Sequence, residues 1–173
     1  MGSAYRIIEA RERDLPFLPV IELAAARLLV GHASESVLTE TTDLDHFRDA
    51  QASGRLWVAL TAETPVGFVH ISLLGSGAPH LEEIDVHPSH GRQGLGRRLV
   101  ATACDWTSRN GHRSITLTTF REIPFNMRFY ASCGFAEVRP ADLDAELADI
   151  IANEARRGLA PERRVVMRWQ SPI

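Results

Sequence analysis

The sequence has few features of a membrane-spanning, secreted or nucleic-acid-binding protein. No apolar run reaches about 18 residues, the length that suggests a membrane-spanning helix. The start lacks a basic segment followed by an apolar one, and two cysteines, Cys104 and Cys133, cannot form a disulfide framework. The net charge is −3, so no basic field attracts nucleic acid. We therefore expect a cytoplasmic protein without nucleic-acid or membrane partners.

The length and composition are those of one globular domain, which we place at residues 1–173. Hydrophobic residues make up 45% and charged residues 24%, as in ordinary soluble proteins. A hairpin pattern at 55–73 is followed by alternating strands and helices, which predicts a mixed α/β fold. Helices are expected at 14–29 and 43–50, with a polar loop between them at 32–42.

The most informative segment joins an acidic strand to a glycine loop and a helix. Residues 82–88 have the pattern of a strand ending in a proline corner, and residues 91–97 lead into a helix at about 97–109. Glycines let backbone N–H groups converge on an anion at a helix N-terminus, and the flanking arginines add positive charge. The segment therefore predicts a site for a phosphorylated cofactor. The structural alternative is a helix start that simply uses glycine.

Other glycine motifs do not fit this loop. A Walker loop needs Lys-Ser or Lys-Thr after its glycines, and neither follows Gly94 or Gly96. A dinucleotide fingerprint needs a third glycine where Leu99 stands. The corner histidines His87 and His90 lack a second ligand cluster, so we expect no metal. The remaining candidate ligand is a pyrophosphate, bound by a glycine loop without a metal-binding Ser or Thr.

A second motif lies downstream and changes the interpretation. Asn126 and Tyr130 are followed by Gly134-Phe135, and with the glycine loop this order and spacing resemble the GCN5-related N-acetyltransferase (GNAT) superfamily. The resemblance covers most of the chain. It implies a mixed, mostly antiparallel central sheet flanked by helices, with acetyl-CoA as the co-substrate.

The resemblance also implies which residues hold the cofactor. In the family a Gln or Arg usually begins the loop, but here that position falls on Gly91 and Arg92 comes one residue later. The strand end should bind the pantetheine arm through its backbone, like an added strand. The expected cofactor contacts are Asp85, Val86, Arg92, Gln93, Gly94, Leu95, Gly96, Arg97 and Asn126.

Three side chains compete for the role of base. Only about 0.04% of a lysine-like amine is neutral at pH 7, so a base or a water chain is useful. Without a bulge, strand alternation puts His80 and Glu82 on one side, and Glu83 and Asp85 on the other. The resemblance favours the first side, so we rank Glu82 first, with Glu83 and His80 next. The alternative is that these carboxylates only solvate an edge or attract a cationic substrate.

Tyr130 is the expected general acid. Its phenol can donate a proton to a departing thiolate, and the structural alternative is a core tyrosine. Asn126 lies one helical turn earlier, where the resemblance implies a contact with the cofactor arm. A helix N-cap is the alternative for Asn126.

Together these features predict an N-acetyltransferase that moves an acetyl group from acetyl-CoA to a primary amine by direct transfer in a ternary complex. In the family the acceptor pocket is framed by segments that here hold Glu35, Glu40 and Asp43, which favours a cationic small molecule. A protein or peptide amine is the alternative acceptor. A non-catalytic acyl-CoA-binding regulator and a nucleotide-binding module are rival classes. The sequence also leaves open whether the protein forms a homodimer.

Overall fold

A central sheet of seven strands organises the molecule. The structure, a computed structural model, describes residues 5–172, with the side chains of residues 124 and 125 outside that description. The strand order is β1-β2-β3-β4-β5-β7-β6. The strands are β1 (Tyr5–Glu9), β2 (Leu56–Thr61), β3 (Thr64–Leu73), β4 (Pro79–Val86), β5 (Ser114–Phe120), β6 (Ala136–Glu137) and β7 (Arg164–Gln170). Every neighbouring pair is antiparallel except β4 and β5, so the mixed, mostly antiparallel sheet is confirmed.

Six α-helices of residues 5–172 flank the sheet. They are α1 (Leu18–Ala26), α2 (Glu35–Thr39), α3 (Leu44–Ala52), α4 (Leu95–Arg109), α5 (Pro124–Ser132) and α6 (Ala145–Arg156). The short helix α2 occupies the stretch expected to be a loop. A 3₁₀ turn at Glu12–Phe17 precedes α1, and Asp14 is buried there against Arg11 rather than capping α1. The N-cap of α3 is Asp43, whose carboxylate accepts a hydrogen bond from the Asp45 N–H.

The side chains of each central strand alternate between two cores. On β2, Trp57 and Ala59 face the core that contains α4, whereas Val58 faces the core built by α1 and α3. Helix α4 is amphipathic and packs its mainly apolar side against the sheet. That side consists of Leu95, Leu99, Val100, Ala103, Cys104 and Thr107. Within the described residues, no helix is long and apolar enough to cross a membrane.

The parallel pair β4 and β5 shapes the functional region. Their pairing register contains one position, His80 opposite Thr116. Beyond that position β4 continues to Val86 while paired only with β3 on its other side. The two strands therefore diverge, and one backbone edge of β4 is left without a strand partner inside the sheet.

Candidate active site

A cleft of about 950 Å³ opens where β4 and β5 diverge. One half is lined by the end of β4, the start of α4 and residues of α5. The other half is lined by α1, the segment between α2 and α3, and β3. An elongated ligand and a second, smaller one could therefore meet at β4.

The start of α4 forms the anion-binding end of the cleft. The N-cap is Gly94, with φ +75°, and no side chain caps the first turn. The first intrahelical N–H bond is donated by Arg98 to the Gly94 carbonyl at 3.1 Å, so earlier N–H groups of the turn have no acceptor within the helix. Arg92 also has a positive φ, +57°, which is unusual for a residue with a side chain. Such an arrangement favours a bound anion.

The two loop arginines differ in what they contact. Arg97 donates to the Ser132 carbonyl at 2.9 Å and to Ser132 Oγ at 2.8 Å, so its guanidinium ties α4 to α5. Arg92 is exposed and forms no ion pair with the part of the chain that the structure describes. Arg92 is therefore the arginine of this loop that can still turn to a phosphate. The cofactor candidates that line the cleft are Asp85, Val86, Arg92, Gly94, Leu95, Gly96, Arg97 and Asn126, whereas Gln93 is exposed outside it.

Helix α5 brings Asn126 and Tyr130 to the same cleft. The N-cap of α5 is Ile123, so Asn126 lies in the first turn and does not cap the helix. The Tyr130 ring packs edge-on against Phe129 and Phe135, with centroids 5.1 and 6.0 Å away. Burial, and then the nearby Asp85, raise the pKa of Tyr130, so its phenol stays protonated.

A bulge in β4 decides which acidic side chains face the cleft. His70 of β3 pairs with Glu83, but the next residue, Ile71, pairs with Leu81, so Glu82 has no partner in β3. After the bulge Ile84 packs with Leu81 in the α4 core. The regular alternation, which was expected only without a bulge, therefore does not continue through Glu82, whereas Glu83 and Asp85 share one side as expected.

Glu83 and Asp85 lie on the α1 and α3 side as a result. Their cross-strand partners are His70 and Phe68, and Phe68 belongs to the core of that side. Glu82 is exposed at the cleft and accepts a hydrogen bond from Ser72 Oγ at 2.8 Å.

Glu22 of α1 joins this acidic group. It is only 5% exposed, and its two carboxylate oxygens each accept from the Thr42 N–H at 3.1 Å. Thr42 Oγ1 donates to Glu22 Oε1 at 2.6 Å and lies 3.1 Å from Glu83 Oε2. We call Glu22, Glu83 and Asp85 the carboxyl row.

The electrostatics of the row follow from its burial. Desolvation, followed by the charges of Asp85 and Glu22, raises the pKa of Glu83. Desolvation also raises the pKa of Asp85. Neighbouring buried carboxyls cannot all ionise, so the row holds protons at neutral pH.

The histidines near β4 occupy different environments. His80 is buried away from the cleft lining, bonded through Nδ1 to Thr116 Oγ1 at 2.8 Å, and burial lowers its pKa. His70 lines the cleft, and burial lowers its pKa to about 4. Its ring lies 5.1 Å from that of His46, edge to face. His80 is thus the sequence candidate that the structure keeps apart from the others.

Sequence reasoning missed Glu22, Thr42 and His70. A signal for Glu22 existed, since it interrupts the otherwise apolar residues 21–26 of α1. An acidic residue on an apolar helix face often has a buried polar partner. No sequence pattern connects Thr42 with Glu22, because they meet only in the folded chain.

The acidic residues expected around the acceptor are only partly placed there. Glu40 lines the cleft and accepts a hydrogen bond from Arg157 at 3.0 Å, whereas Glu35 and Asp43 lie outside the lining. Arg164, also at the cleft, is paired with Glu154 at 2.8 Å. Within residues 5–172, no group of three metal-binding side chains is arranged to hold a metal ion.

Comparison with known proteins defines the class. A model of the acetyltransferase (GNAT) family matches residues 21–135, which is more than half of the chain. This protein belongs to the GNAT acetyltransferase family. The match includes the glycine loop, the carboxyl row and Tyr130.

Solved structures share the fold at low sequence identity. PaiA N-acetyltransferase from Thermoplasma acidophilum, in complex with coenzyme A, is 16% identical with a TM-score of 0.74, over 96% of this chain and 99% of that one. The ribosomal-protein-S18-alanine N-acetyltransferase of Escherichia coli is 20% identical with a TM-score of 0.65, over 96% and 93%. YncA of Salmonella typhimurium, with its cofactor acetyl-CoA, is 19% identical with a TM-score of 0.66, over 97% and 94%.

Replacing Glu83 by glutamine should stabilise the fold more at about pH 9 than at about pH 5. Above the ordinary glutamate pKa of ~4.3 the unfolded chain has lost a proton that folded Glu83 retains, so the free energy of unfolding falls as pH rises. Glutamine removes this dependence. Urea unfolding gives the change in the free energy of unfolding that Glu83→Gln causes at each pH. This change should be more favourable at pH 9 than at pH 5 by about 1 kcal/mol or more, since one pKa unit is worth ~1.4 kcal/mol.

Glu82→Gln is the matched control, because Glu82 is exposed. It should change the free energy of unfolding much less between the two pH values. Equal pH responses of the two variants would contradict a Glu83 that stays protonated in the folded protein.

Proposed function

We propose that the protein transfers an acetyl group from acetyl-CoA to a primary amine, directly, with both substrates bound at once. One observation carries this proposal. A single cleft connects an uncapped helix start, an unpaired strand edge, a half-buried tyrosine and the carboxyl row. Each of these groups serves one requirement of acyl transfer from a thioester to an amine.

The donor half of the cleft suits a long phosphorylated thioester. The first-turn N–H groups of α4 would bind the pyrophosphate, with Arg92 adding positive charge. The free edge of β4 at Asp85 and Val86 would bind the pantetheine amides as an added strand would, with Asn126 beside it. Acetyl-CoA itself supplies an activated acyl carbonyl.

The acceptor half suits a cation. Its arginines, Arg157 and Arg164, are already paired with Glu40 and Glu154. No ion pair with an arginine neutralises the carboxyl row within the described residues. An ammonium that reaches the row gains charge-assisted hydrogen bonds, each worth about 1.5–3 kcal/mol. A cationic small-molecule amine is therefore the favoured acceptor.

Two residues are proposed to transfer protons, Glu83 on the acceptor side and Tyr130 on the donor side. The bulge favours Glu83 over Glu82 as the group that takes the proton of the amine, because Glu83 faces the acceptor half together with Glu22. Tyr130, kept neutral by burial, would donate its phenolic proton to the leaving sulfur. The amine nitrogen then keeps the electron pair with which it attacks.

Gly94→Asp should weaken acetyl-CoA binding about tenfold or more, or ~1.4 kcal/mol. A carboxylate beside the first-turn N–H groups would repel a phosphate bound there, and an amide of the same size would not. Gly94→Asn is the matched control, since both residues tolerate a positive φ and have similar size. Calorimetry should find affinity nearly retained in the Asn variant. Equal affinities for both variants would rule out this helix start as the pyrophosphate site.

Tyr130→Phe should lower the single-turnover rate by roughly 10²-fold while acetyl-CoA affinity changes little. The phenyl ring keeps the packing but has no proton to donate. The other tyrosine of the chain, Tyr5, provides a control, because it lies outside the cleft lining and its hydroxyl contacts His90 at 3.0 Å. An undiminished rate in Tyr130→Phe would remove this residue from the mechanism.

An amine screen tests the activity itself. Purified protein and acetyl-CoA should release free thiol with cationic primary amines faster than with neutral or anionic ones. The chain contains no lysine, so acetylation of its own lysine side chains cannot add to the signal. Glu83→Gln should lower kcat/KM about 10²-fold and Glu82→Gln far less.

Other outcomes of the screen are equally informative. A larger loss in Glu82→Gln would restore Glu82 as the base. Thiol release with peptides alone would point to a protein acceptor. Binding of acetyl-CoA without thiol release from any amine or peptide would leave a non-catalytic binding protein.

A further inference from the structure

The carboxyl row begins on a helix that carries neither the base nor the cofactor loop. Glu22 comes from α1, and Glu83 and Asp85 come from β4. Asp85 is near enough to Tyr130 for its charge to act on the phenol. The row therefore extends from the acceptor side of the cleft to the tyrosine.

Hydrogen-bond accounting assigns the protons within the row. The Thr42 hydroxyl has one proton, and its 2.6 Å contact with Glu22 Oε1 uses that proton. The 3.1 Å contact between Thr42 Oγ1 and Glu83 Oε2 must then use a proton that belongs to Glu83. Glu22, which also accepts from the Thr42 N–H with both oxygens, is left as the carboxylate.

This assignment creates a difficulty for a simple base mechanism. A Glu83 that already holds a proton cannot take a second one from an ammonium and keep it. Glu83 must pass its own proton to a neighbouring carboxylate as the new proton arrives. Thr42 Oγ1 bridges Glu83 to Glu22, so Glu22 is the neighbour that this hydrogen-bonded path reaches.

We propose that Glu22 is the final proton acceptor of a relay, in which the proton of the amine moves to Glu83 while Glu83 passes its own proton toward Glu22 through the Thr42 hydroxyl. One N–H bond of the ammonium breaks and an O–H bond forms on Glu83. At the same time the original O–H bond of Glu83 breaks as an O–H bond forms on Thr42 Oγ1, and the original Thr42 O–H bond breaks as one forms on Glu22 Oε1. The ammonium and the Glu22 carboxylate both become neutral, so no net charge is left in the buried row. Glu22 acts through Thr42 and Glu83, because the Thr42 hydroxyl connects the two carboxyls.

Several titratable groups surround this pair and set its pH response. Asp85 and Glu82 come from β4, His70 from β3, His46 from α3 and Tyr130 from α5, and all of them line the cleft. Neutral His70, directly across from Glu83, adds no charge above about pH 5, because burial lowers its pKa to about 4. The relay rests on the proposed amine acetylation.

The kinetic test compares two acceptors of one shape but different basicity. The best amine of the screen and its fluorinated analogue, which is mostly neutral at the assay pH, are given to wild type and Glu22→Gln. With the basic amine, Glu22→Gln should lower kcat about 10²-fold with a smaller change in KM. With the fluorinated amine, which needs no deprotonation, the loss should shrink to a few-fold. An equal loss with both amines would show a structural role only and overturn the relay.

Milder variants guard against a damaged fold. Thr42→Ser keeps the hydroxyl and should stay within about threefold of wild type. Thr42→Val lacks the hydroxyl and should show the same dependence on amine basicity as Glu22→Gln. Glu35→Gln removes a carboxylate outside the cleft and controls for overall charge. If Thr42→Val and Thr42→Ser behave alike with both amines, the Thr42 hydroxyl does not connect the two carboxyls and the relay is overturned.

A spectroscopic readout is independent of activity. Carbon-13 NMR of the glutamate carboxyls in the free protein, assigned with Glu22→Gln and Glu83→Gln, should find Glu83 protonated and Glu22 ionised at about pH 7. The reverse assignment, or two ionised carboxyls, would overturn the relay even if the enzyme is active. If wild type releases no thiol with any amine, the proposed acetyl transfer fails and the relay fails with it. An active wild type with unchanged Glu22→Gln kinetics removes the relay alone.

Discussion

The bulge at Glu82, next to the point where β4 leaves β5, is the constraint on which the rest of the site depends. One unpaired residue shifts the alternation of β4, so that Glu83 and Asp85 face α1 while Ile84 stays in the α4 core. The divergence from β5 leaves the outer edge of the same residues without a strand partner. If β4 paired with β5 along its whole length, its edge would not be free. If β4 had no bulge, the relation between the side chains before and after Glu82 would be different.

The partial desolvation of several neighbouring carboxyls at this position opposes stability. Each ionised group would lose its hydration, so the row holds protons that the unfolded chain would release. The surrounding cores offset this cost through well-packed apolar residues on both faces of the sheet.

Close packing of α4 on α5 joins the glycine loop to the helix that carries Tyr130. A Cβ at Gly96 would lie 3.3 Å from Phe129 Cζ, so glycine permits the approach. Arg97 fastens the helices through Ser132. The helix start that suits a pyrophosphate and the helix that carries Tyr130 are therefore one packed unit. A displacement of the glycine loop would therefore also displace Tyr130.

The sequence determined the features that depend on local chemistry. The glycine loop before α4, the helix at 43–50 and the hairpin at 55–73 follow from φ requirements and periodicity, so they were predictable. The resemblance of the motifs added the family, the sheet type and Tyr130. Only the tertiary structure decided what depends on pairing between distant segments. The bulge is a matter of register between β3 and β4, and the meeting of Glu22 with Glu83 joins residues 61 positions apart through Thr42. Local patterns carry no information about such contacts, because the free energy that fixes them comes from packing α1 against the sheet and not from either segment alone.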